Sequence, residues 1–358
     1  MTLERVLVVD PIDGEYVADL EVDPPYVVGI KKRGISNFLA IAMPGFVDPH
    51  VHGCFGLSVM DGEFSRIEER LYSCGVTGFL ATTISSPMDE LVGLLEKVKG
   101  YRGLSFLGIH LEGPYISKER AGAHPREFVR KPSEEEIEIL KKYPEIKLVT
   151  FAPEQEGSHL LFDLRGVTLS AGHSNATFSD FLHSGLKRIT HFPNALRPLH
   201  HREVGAVGAG LLLEDVDLEL ICDGVHVCGE MVKLIYRMKG AHRIVLVTDA
   251  IPTTGLNDGR YSFAGVTVLV EEGISRTPEG NLAGGACLFP EVLKKFEKFT
   301  GATLKELAAA SSYNACKELG LKDMGRIKEG TPADVVILDE DLNVKMTLKN
   351  GLIMYKKL

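Results

Sequence analysis

The sequence predicts an α/β protein: a (β/α)8 barrel of the TIM type with a small β-sandwich domain built from both termini. Three observations predict it. Apolar, β-branched runs alternate with helix-period segments through the middle of the 358-residue chain. Both ends of the chain carry strand-like runs. Acidic residues and histidines follow most of the central runs. We expect the small domain to comprise residues 1–42 and 326–358, and the barrel residues 43–325.

The chain starts with strand texture. Arg5–Val9, Tyr26–Ile30 and Phe38–Ala42 are short apolar runs separated by Pro, Gly and Asp turns. After Pro44-Gly45 the texture changes to alternating strands and helices, which marks the entry into the barrel.

Eight runs in the central region are predicted barrel strands. They are Gly45–Asp48, Thr77–Ala81, Leu104–His110, Lys147–Phe151, Val167–Ala171, Arg188–His191, Leu218–Cys222 and Arg243–Thr248. Eight is the number of strands in a closed barrel, and the central region has about the 250 residues typical of that fold.

Helical periodicity fills most of the intervals between these strands. The predicted helices are Glu90–Val98, Glu134–Lys142, Phe178–Leu186, Glu230–Met238, Leu288–Phe299 and Leu304–Ser312. Ser86 is the expected N-cap of the first helix, with Pro87 at its first helical position. Ser133 and Glu136 predict a capping box at the start of the second.

The last residues return to strand texture. Asp334–Leu338, Val344–Leu348 and Leu352–Tyr355 are predicted strands, with Asn350-Gly351 as a hairpin turn. We therefore expect the two ends of the chain to meet in the small β domain.

Composition excludes several classes of protein. The net charge of −9 is unsuited to gripping nucleic acid or an anionic membrane through the overall field. The apolar runs fall far short of a spanning helix. The six cysteines form no C-x-x-C pair, which predicts reduced thiols in a cytoplasmic protein.

The candidate chemistry lies after the barrel strands, because the active site of this fold forms at the carboxyl ends of its strands. His50 and His52, two residues apart on the first strand, can present two imidazoles to one point. Glu112, His173 and His191 follow three other strands and can complete a shell for Zn²⁺, Fe²⁺ or Mn²⁺. A cation there would lower the pKa of a water to about 7 and supply hydroxide.

Other residues at these strand ends suggest acid–base and binding roles. Asp249, after a nearly wholly apolar strand, can accept a proton from that water and pass it to a leaving amine. Arg202 can grip a phosphate or carboxylate through paired hydrogen bonds. His110 is either a further ligand or a core histidine. An isolated H-x-H is a weak signal, so the prediction depends on similar residues recurring at successive strand ends.

Two motifs resemble the amidohydrolase superfamily. Pro44-Gly45-Phe46-Val47-Asp48-Pro49-His50-Val51-His52-Gly53 is similar to its opening signature, and the segment from Gly325 to Val336 is similar to its closing signature. His110-Leu111-Glu112-Gly113-Pro114, Gly172-His173-Ser174, Thr190-His191-Phe192-Pro193-Asn194-Ala195 and Thr248-Asp249-Ala250 resemble the N-acetylglucosamine-6-phosphate deacetylase family within it. The similarity covers nearly the whole chain.

The resemblance implies metal-dependent hydrolysis of the acetamide of N-acetyl-D-glucosamine 6-phosphate, in amino-sugar catabolism or recycling, by a homodimer. It assigns Glu112, His173 and His191 as metal ligands and Asp249 as the catalytic acid/base. His124 would contact the substrate and polarise its amide carbonyl. Asn194 and Ala195 would offer backbone groups to the phosphate. Further substrate contacts would come from Arg202, His226 and Leu282.

The number of metal ions stays open. Family members with H-x-H can hold two ions bridged by the glutamate, and those without it hold one, so His50 and His52 make a second position chemically possible. Two other functions are weighed against this one. Another amidohydrolase activity, on cyclic amides or N-acyl amino acids, is disfavoured by the glutamate motif and Arg202. A non-catalytic metal-binding barrel is disfavoured by Asp249, since binding alone needs no proton shuttle.

Overall fold

The computed structural model describes residues 1–34, 37–263 and 265–357. Its strands, in chain order, are β1 (Thr2–Asp10), β2 (Gly14–Asp23), β3 (Tyr26–Lys32), β4 (Ala40–Pro44), β5 (Phe46–Val51), β6 (Gly53–Cys54), β7 (Leu57–Ser58), β8 (Val76–Thr82), β9 (Phe106–Glu112), β10 (Ile146–Phe151), β11 (Thr168–Ala171), β12 (Arg188–Ile189), β13 (Asp217–Ile221), β14 (Ile244–Val247), β15 (Gly259–Phe263), β16 (Val266–Glu271), β17 (Ile274–Arg276), β18 (Val335–Leu338), β19 (Val344–Lys349) and β20 (Leu352–Lys356).

The α-helices are α1 (Phe64–Tyr72), α2 (Met88–Lys99), α3 (Glu134–Leu140), α4 (Phe178–Ser184), α5 (Gly205–Leu212), α6 (Gly229–Lys239), α7 (Phe289–Thr300), α8 (Leu304–Ala308) and α9 (Asn314–Glu318). Short 3-10 helices span Lys118–Arg120, Ser158–Asp163 and Ala241–Arg243, and a π-helical turn, Ala309–Tyr313, joins α8 to α9. Within the described ranges, no helix is both long and apolar enough to cross a membrane.

The central sheet confirms the predicted barrel. Its eight strands run in the order β5, β8, β9, β10, β11, β12, β13, β14, and each described pairing is parallel. The first and last strands meet through a parallel bridge between Val51 and Ala250. The hydroxyl of Thr248 donates to the Asp48 carboxylate at 2.6 Å, which ties the same two strands together inside the barrel. The sheet is therefore closed.

The strands near the two ends of the chain form one seven-stranded sheet in the order β20-β19-β18-β4-β1-β2-β3. Strand β18 pairs with β4 in antiparallel register. The segment that leads into the barrel therefore lies next to the segment that follows it. Asn350 and Gly351 have φ of 48° and 73°, the left-handed pair that a type I′ hairpin requires. The domain boundaries after residues 42 and 325 stay a prediction.

The helices follow the predicted periodicity with shifted ends. Pro87, not Ser86, is the N-cap of α2, and that position has no side-chain cap bond. At α3 the Ser133 hydroxyl accepts from the Glu136 backbone as predicted. The Glu136 carboxylate, however, accepts from Arg130 at 2.7 Å, so the reciprocal half of the capping box is replaced by an ion pair.

Several elements of the barrel region were not predicted, among them helices α1 and α5 and strands β15–β17. Helix α1 begins without a side-chain cap. Helix α5 has the sequence GAVGAGLL and buries six of its eight residues, so it lacks the polar face on which a helical period depends. Strands β15–β17 form a small antiparallel sheet after the last barrel strand. Its Phe263 packs edge-on against His52, which places this sheet beside the barrel mouth.

Candidate active site

A cavity of about 360 Å³ opens at the carboxyl ends of the barrel strands. Ten residues singled out from the sequence line it: His52, Glu112, His124, His173, His191, Asn194, Ala195, His226, Asp249 and Leu282. His50 is fully buried directly behind this wall. The fold thus gathers side chains that are up to 232 positions apart in the chain.

The Glu112 carboxylate lies at the centre of this group. Its Oε2 lies 3.0 Å from Nε2 of His52 and 3.4 Å from Nε2 of His50. Its Oε1 lies 3.0 Å from Nε2 of His191 and 3.3 Å from Nε2 of His173. One carboxylate therefore faces two separate pairs of imidazoles, one through each oxygen.

The protonation of two of these imidazoles follows from their outer contacts. Nδ1 of His173 lies 2.7 Å from the backbone carbonyl of Arg120, which can only accept, so Nδ1 carries the proton. Nδ1 of His50 lies 3.1 Å from the Glu219 carboxylate and is protonated for the same reason. With the proton on Nδ1, the Nε2 atom of each ring faces Glu112 and is the atom that could bind a cation.

His124 has the opposite arrangement. Its Nδ1 accepts the backbone N–H of Ser85 at 3.1 Å, so the neutral ring carries its proton on Nε2. That nitrogen lies 3.4 Å from Oε2 of Glu112. Burial and the neighbouring His173 lower the pKa of His124 to about 4, so the ring is neutral at pH 7. His124 therefore directs an Nε2–H toward Glu112 at the cavity wall.

Asp249 lies on the other side of the His50–His52 pair. Its Oδ1 is 3.2 Å from Nε2 of His50 and 3.4 Å from Nε2 of His52. Burial opposes ionisation, but these two imidazoles lower the pKa of the Asp249 carboxyl. Asp249 is thus an ionised base at pH 7, placed within reach of anything bound between the histidines.

The donor set fits a divalent cation. Two groups of ligand atoms, each lying within 4.8 Å of one another, share Glu112: one includes His50 and His52, the other His124 and His173. His191 lies beside the second group, with its Nε2 2.9 Å from Nε2 of His173 and 3.0 Å from Oε1 of Glu112. Glu112 Oε1 is buried without a hydrogen-bond partner among the described residues. Imidazole and carboxylate atoms at these separations match the ligand shell of Zn²⁺ or a similar ion.

The remaining predicted contacts differ in their placement. Asn194 donates its side-chain amide to the His191 carbonyl, and Ala195 follows it at φ 53°. His226 is held by the Asp223 carboxylate at 2.7 Å. Arg202 is exposed, contacts His201 at 3.0 Å and does not line the cavity. Its assignment as a substrate contact stays a prediction.

The structure settles the alternative left open for His110. Its ring nitrogens contact Thr82 at 3.3 Å and Thr150 at 2.8 Å, and the side chain is fully buried below the cavity. Burial, with the neighbouring His50, holds the pKa of His110 well below its usual value. His110 is a neutral core histidine whose polar atoms are bonded to threonines.

Sequence reasoning missed several functional candidates. Glu219 contacts His50 from within the barrel, and Ser85 orients His124. Arg120 and Arg126 line the cavity, as does Phe263 from the unpredicted sheet. One available signal was the carboxylate of Glu219 in the middle of the mostly apolar strand β13, between Leu218 and Leu220. The contacts of Ser85 and the arginines depend on loop geometry that has no periodic pattern.

Comparison with known proteins gives a consistent result. The family model described as the amidohydrolase family matches residues 41–354. The chain is 36% identical over 344 residues to N-acetylglucosamine-6-phosphate deacetylase from Lysinibacillus sphaericus, an alignment that covers 90% of this chain and 86% of that one.

Solved structures agree with it over the whole length. N-acetylglucosamine-6-phosphate deacetylase from Thermotoga maritima is 52% identical, with a TM-score of 0.96 and 100% coverage of both chains. A point mutant of the Mycobacterium smegmatis deacetylase, in complex with N-acetyl-D-glucosamine 6-phosphate, is 28% identical, with a TM-score of 0.93 and 99% coverage of both chains.

Proposed function

The chain belongs to the amidohydrolase family, and we propose that it hydrolyses the acetamide of N-acetyl-D-glucosamine 6-phosphate to glucosamine 6-phosphate and acetate. One observation carries this proposal: Glu112 joins two pairs of imidazoles at the floor of a cavity that also contains an ionised Asp249 and a neutral His124 donor. Placing a base, a donor and a cation site around one point is what amide hydrolysis needs.

We propose Glu112, His173 and His191 as the ligands of one divalent cation, with His50, His52 and Glu112 forming a second position. Zn²⁺, Fe²⁺ and Mn²⁺ all suit this mixture of imidazole and carboxylate. When bound, the ion polarises the amide carbonyl and lowers the pKa of a water to about 7.

The protein's own groups then carry the proton transfers. Asp249 accepts a proton from the attacking water, since its carboxylate is ionised and faces the cation site. Nε2–H of His124 donates to the carbonyl oxygen as negative charge develops there. Asp249 returns its proton to the departing sugar amine, which completes the cleavage of the C–N bond.

Substrate binding follows the loop after β12. Asn194 and Ala195 line the cavity beside the proposed ligand His191, a placement that supports a role for their backbone groups in holding the phosphate. His226 and Leu282 line the wall that would face the sugar. The exposed Arg202 lies outside the cavity of its own chain, which supports a homodimer in which a partner subunit brings this arginine to the phosphate.

We also propose a cytoplasmic location, in amino-sugar catabolism or recycling. The six cysteines are free and five of them are buried, as is usual where thiols stay reduced.

An acetate-release assay tests the function. The protein is stripped of metal and then supplied with Zn²⁺, Fe²⁺ or Mn²⁺. The expected result is metal-dependent acetate release from N-acetylglucosamine 6-phosphate, with lower kcat/KM for its C4 epimer and for unphosphorylated N-acetylglucosamine. A higher kcat/KM on a cyclic amide or an N-acyl amino acid would replace this substrate. If the metal-loaded protein hydrolyses none of these compounds, the alternative of a non-catalytic metal-binding barrel is supported instead.

A further inference from the structure

Glu219 is a buried acid that the proposed reaction does not use. It lies in β13, is fully buried and does not line the cavity, so it cannot touch a substrate. Its carboxylate contacts two proposed metal ligands from within the barrel, at Nδ1 of His50 and at the backbone N–H of His191. Any effect of Glu219 on the site must therefore pass through these ligands.

The contacts of Glu219 reach both halves of the candidate site. Oε2 accepts from Nδ1–H of His50 at 3.1 Å and from the backbone N–H of His191 at 3.2 Å. Oε1 accepts from Arg188 at 2.5 Å. Glu219 thus connects the side chain of His50, in one proposed metal position, with the backbone of His191, in the other.

Neutralising Arg188 does not by itself account for Glu219. The Arg188 guanidinium is buried and also contacts a second carboxylate, that of Glu318. Glu318 touches no histidine among the described residues, so it can balance the arginine's charge without influencing the site. Arg188, Glu219 and Glu318 together carry one excess negative charge, and Glu219 places its carboxylate against His50. In metal sites, a carboxylate bonded to a ligand histidine in this way fixes the histidine's tautomer.

We infer that Glu219 is a positioning residue for the metal position formed by His50, His52 and Glu112. It keeps the proton of His50 on Nδ1 and its Nε2 lone pair toward the ion, and holds His191 in register with it. This inference rests on the proposed metal-dependent function but concerns ion binding, which is measured without substrate.

The test compares Glu219→Gln with Glu318→Gln. Both remove one carboxylate from Arg188, but only the first touches His50. Purified proteins are equilibrated with Zn²⁺ at buffered free concentrations, and bound zinc per chain is measured by mass spectrometry. We expect Glu219→Gln to weaken the second zinc-binding step by about 10- to 100-fold, and Glu318→Gln to bind zinc like the wild type.

Equal weakening in both variants, or none in Glu219→Gln, overturns the inference. So does a wild type that binds a single ion with an affinity unchanged by Glu219→Gln. If Glu219→Gln fails to fold, ¹⁵N NMR of the zinc-loaded wild type shows which ring nitrogen of His50 carries the proton. The His50 signal is identified as the one that is missing from the spectrum of His50→Asn. A proton on Nδ1 supports the inference and a proton on Nε2 refutes it. If the wild type releases no acetate but the expected difference in zinc binding is found, only the proposed reaction is contradicted.

Discussion

The candidate site is assembled from two halves that are built differently. One, the strand half, lies within barrel strands or directly after one and has no residue of positive φ: His50, His52 and Glu112. The other, the turn half, lies two residues past the ends of β11, β12 and β14: His173, His191 and Asp249. The turn half has positive φ throughout, at 46°, 33° and 52° in the same order.

The difference shows two ways of placing a functional side chain. In the strand half, His50 and His52 lie two positions apart at the end of β5, where the pairing with β8 shifts register, and neither residue has positive φ. In the turn half, each non-glycine residue with positive φ costs of order 1–3 kcal/mol, which the surrounding structure must offset. The backbone contacts do so: the Asp249 carbonyl accepts from Gly285 at 2.8 Å and the His173 carbonyl from Ser117 at 2.9 Å. The turn half therefore depends on distant loops.

The largest expected effect comes from removing the base in the turn half. Asp249→Asn should keep the fold and bound metal but lower kcat by about 10²- to 10⁴-fold, the usual contribution of general acid–base catalysis. Asp217→Asn is the matched control, because its side chain is 14% exposed against 13% for Asp249 but lies at the opposite end of the barrel. Steady-state kinetics with metal analysis would contradict the assignment if both variants turned over normally.

The two halves should also differ in metal binding. His173→Asn should lose the ion held with Glu112 and His191, and lower kcat/KM by more than about 100-fold, since even outer-shell changes cost 10- to 100-fold. His52→Asn should retain one ion per chain and lose less activity. Metal content and kcat/KM measured together test this. A larger loss for His52→Asn would make the strand half the principal catalytic position.

Phosphate recognition is expected to depend on the loop between β12 and α5, which contains His191 and Arg202. Arg202→Ala should raise KM for the phosphorylated sugar by about 10- to 100-fold, the worth of a hydrogen bond to a charged group. It should leave KM for unphosphorylated N-acetylglucosamine unchanged. Arg126→Ala, which alters an arginine that lines the cavity of its own chain, is the comparison. If only Arg126→Ala raises KM, the phosphate lies against Arg126 and the homodimer argument from Arg202 falls.

The smallest effect tests the backbone strain itself. Ala195 has φ 53°, so Ala195→Gly should relieve about 1–2 kcal/mol of left-handed strain, enough to offset the roughly 0.5–1 kcal/mol of extra entropy that glycine loses on folding. Ala81→Gly, in regular strand β8, should destabilise by at least about 0.5–1 kcal/mol. Urea unfolding should show a midpoint unchanged or raised for the first and lowered for the second. Equal losses would mean that the turn is unstrained.

The same contrast explains what could be predicted from the sequence. Barrel strands appear as apolar runs, and H-x-H places two imidazoles on one strand face, so the positions of the strand half could be predicted. Its role could be predicted only because similar residues recur at the other strand ends. His173, His191 and Asp249 could be located after strands, but their left-handed backbone has no sequence signature outside glycine. The acid at Glu219 interrupts an apolar run and is visible in the sequence, but its role could not be predicted because its partners, Arg188 and His50, come from other strands.

The pairing of β4 with β18 sets an order on events during synthesis. Pro44 pairs with Val335, so the first strands leave the ribosome long before their partner exists. At 5–20 residues per second the wait is roughly 15 to 60 s. Throughout it the edge of β4 offers unpaired backbone groups to any other nascent chain. Truncated chains that end before Val335 should therefore aggregate in the cell more readily than the full-length chain.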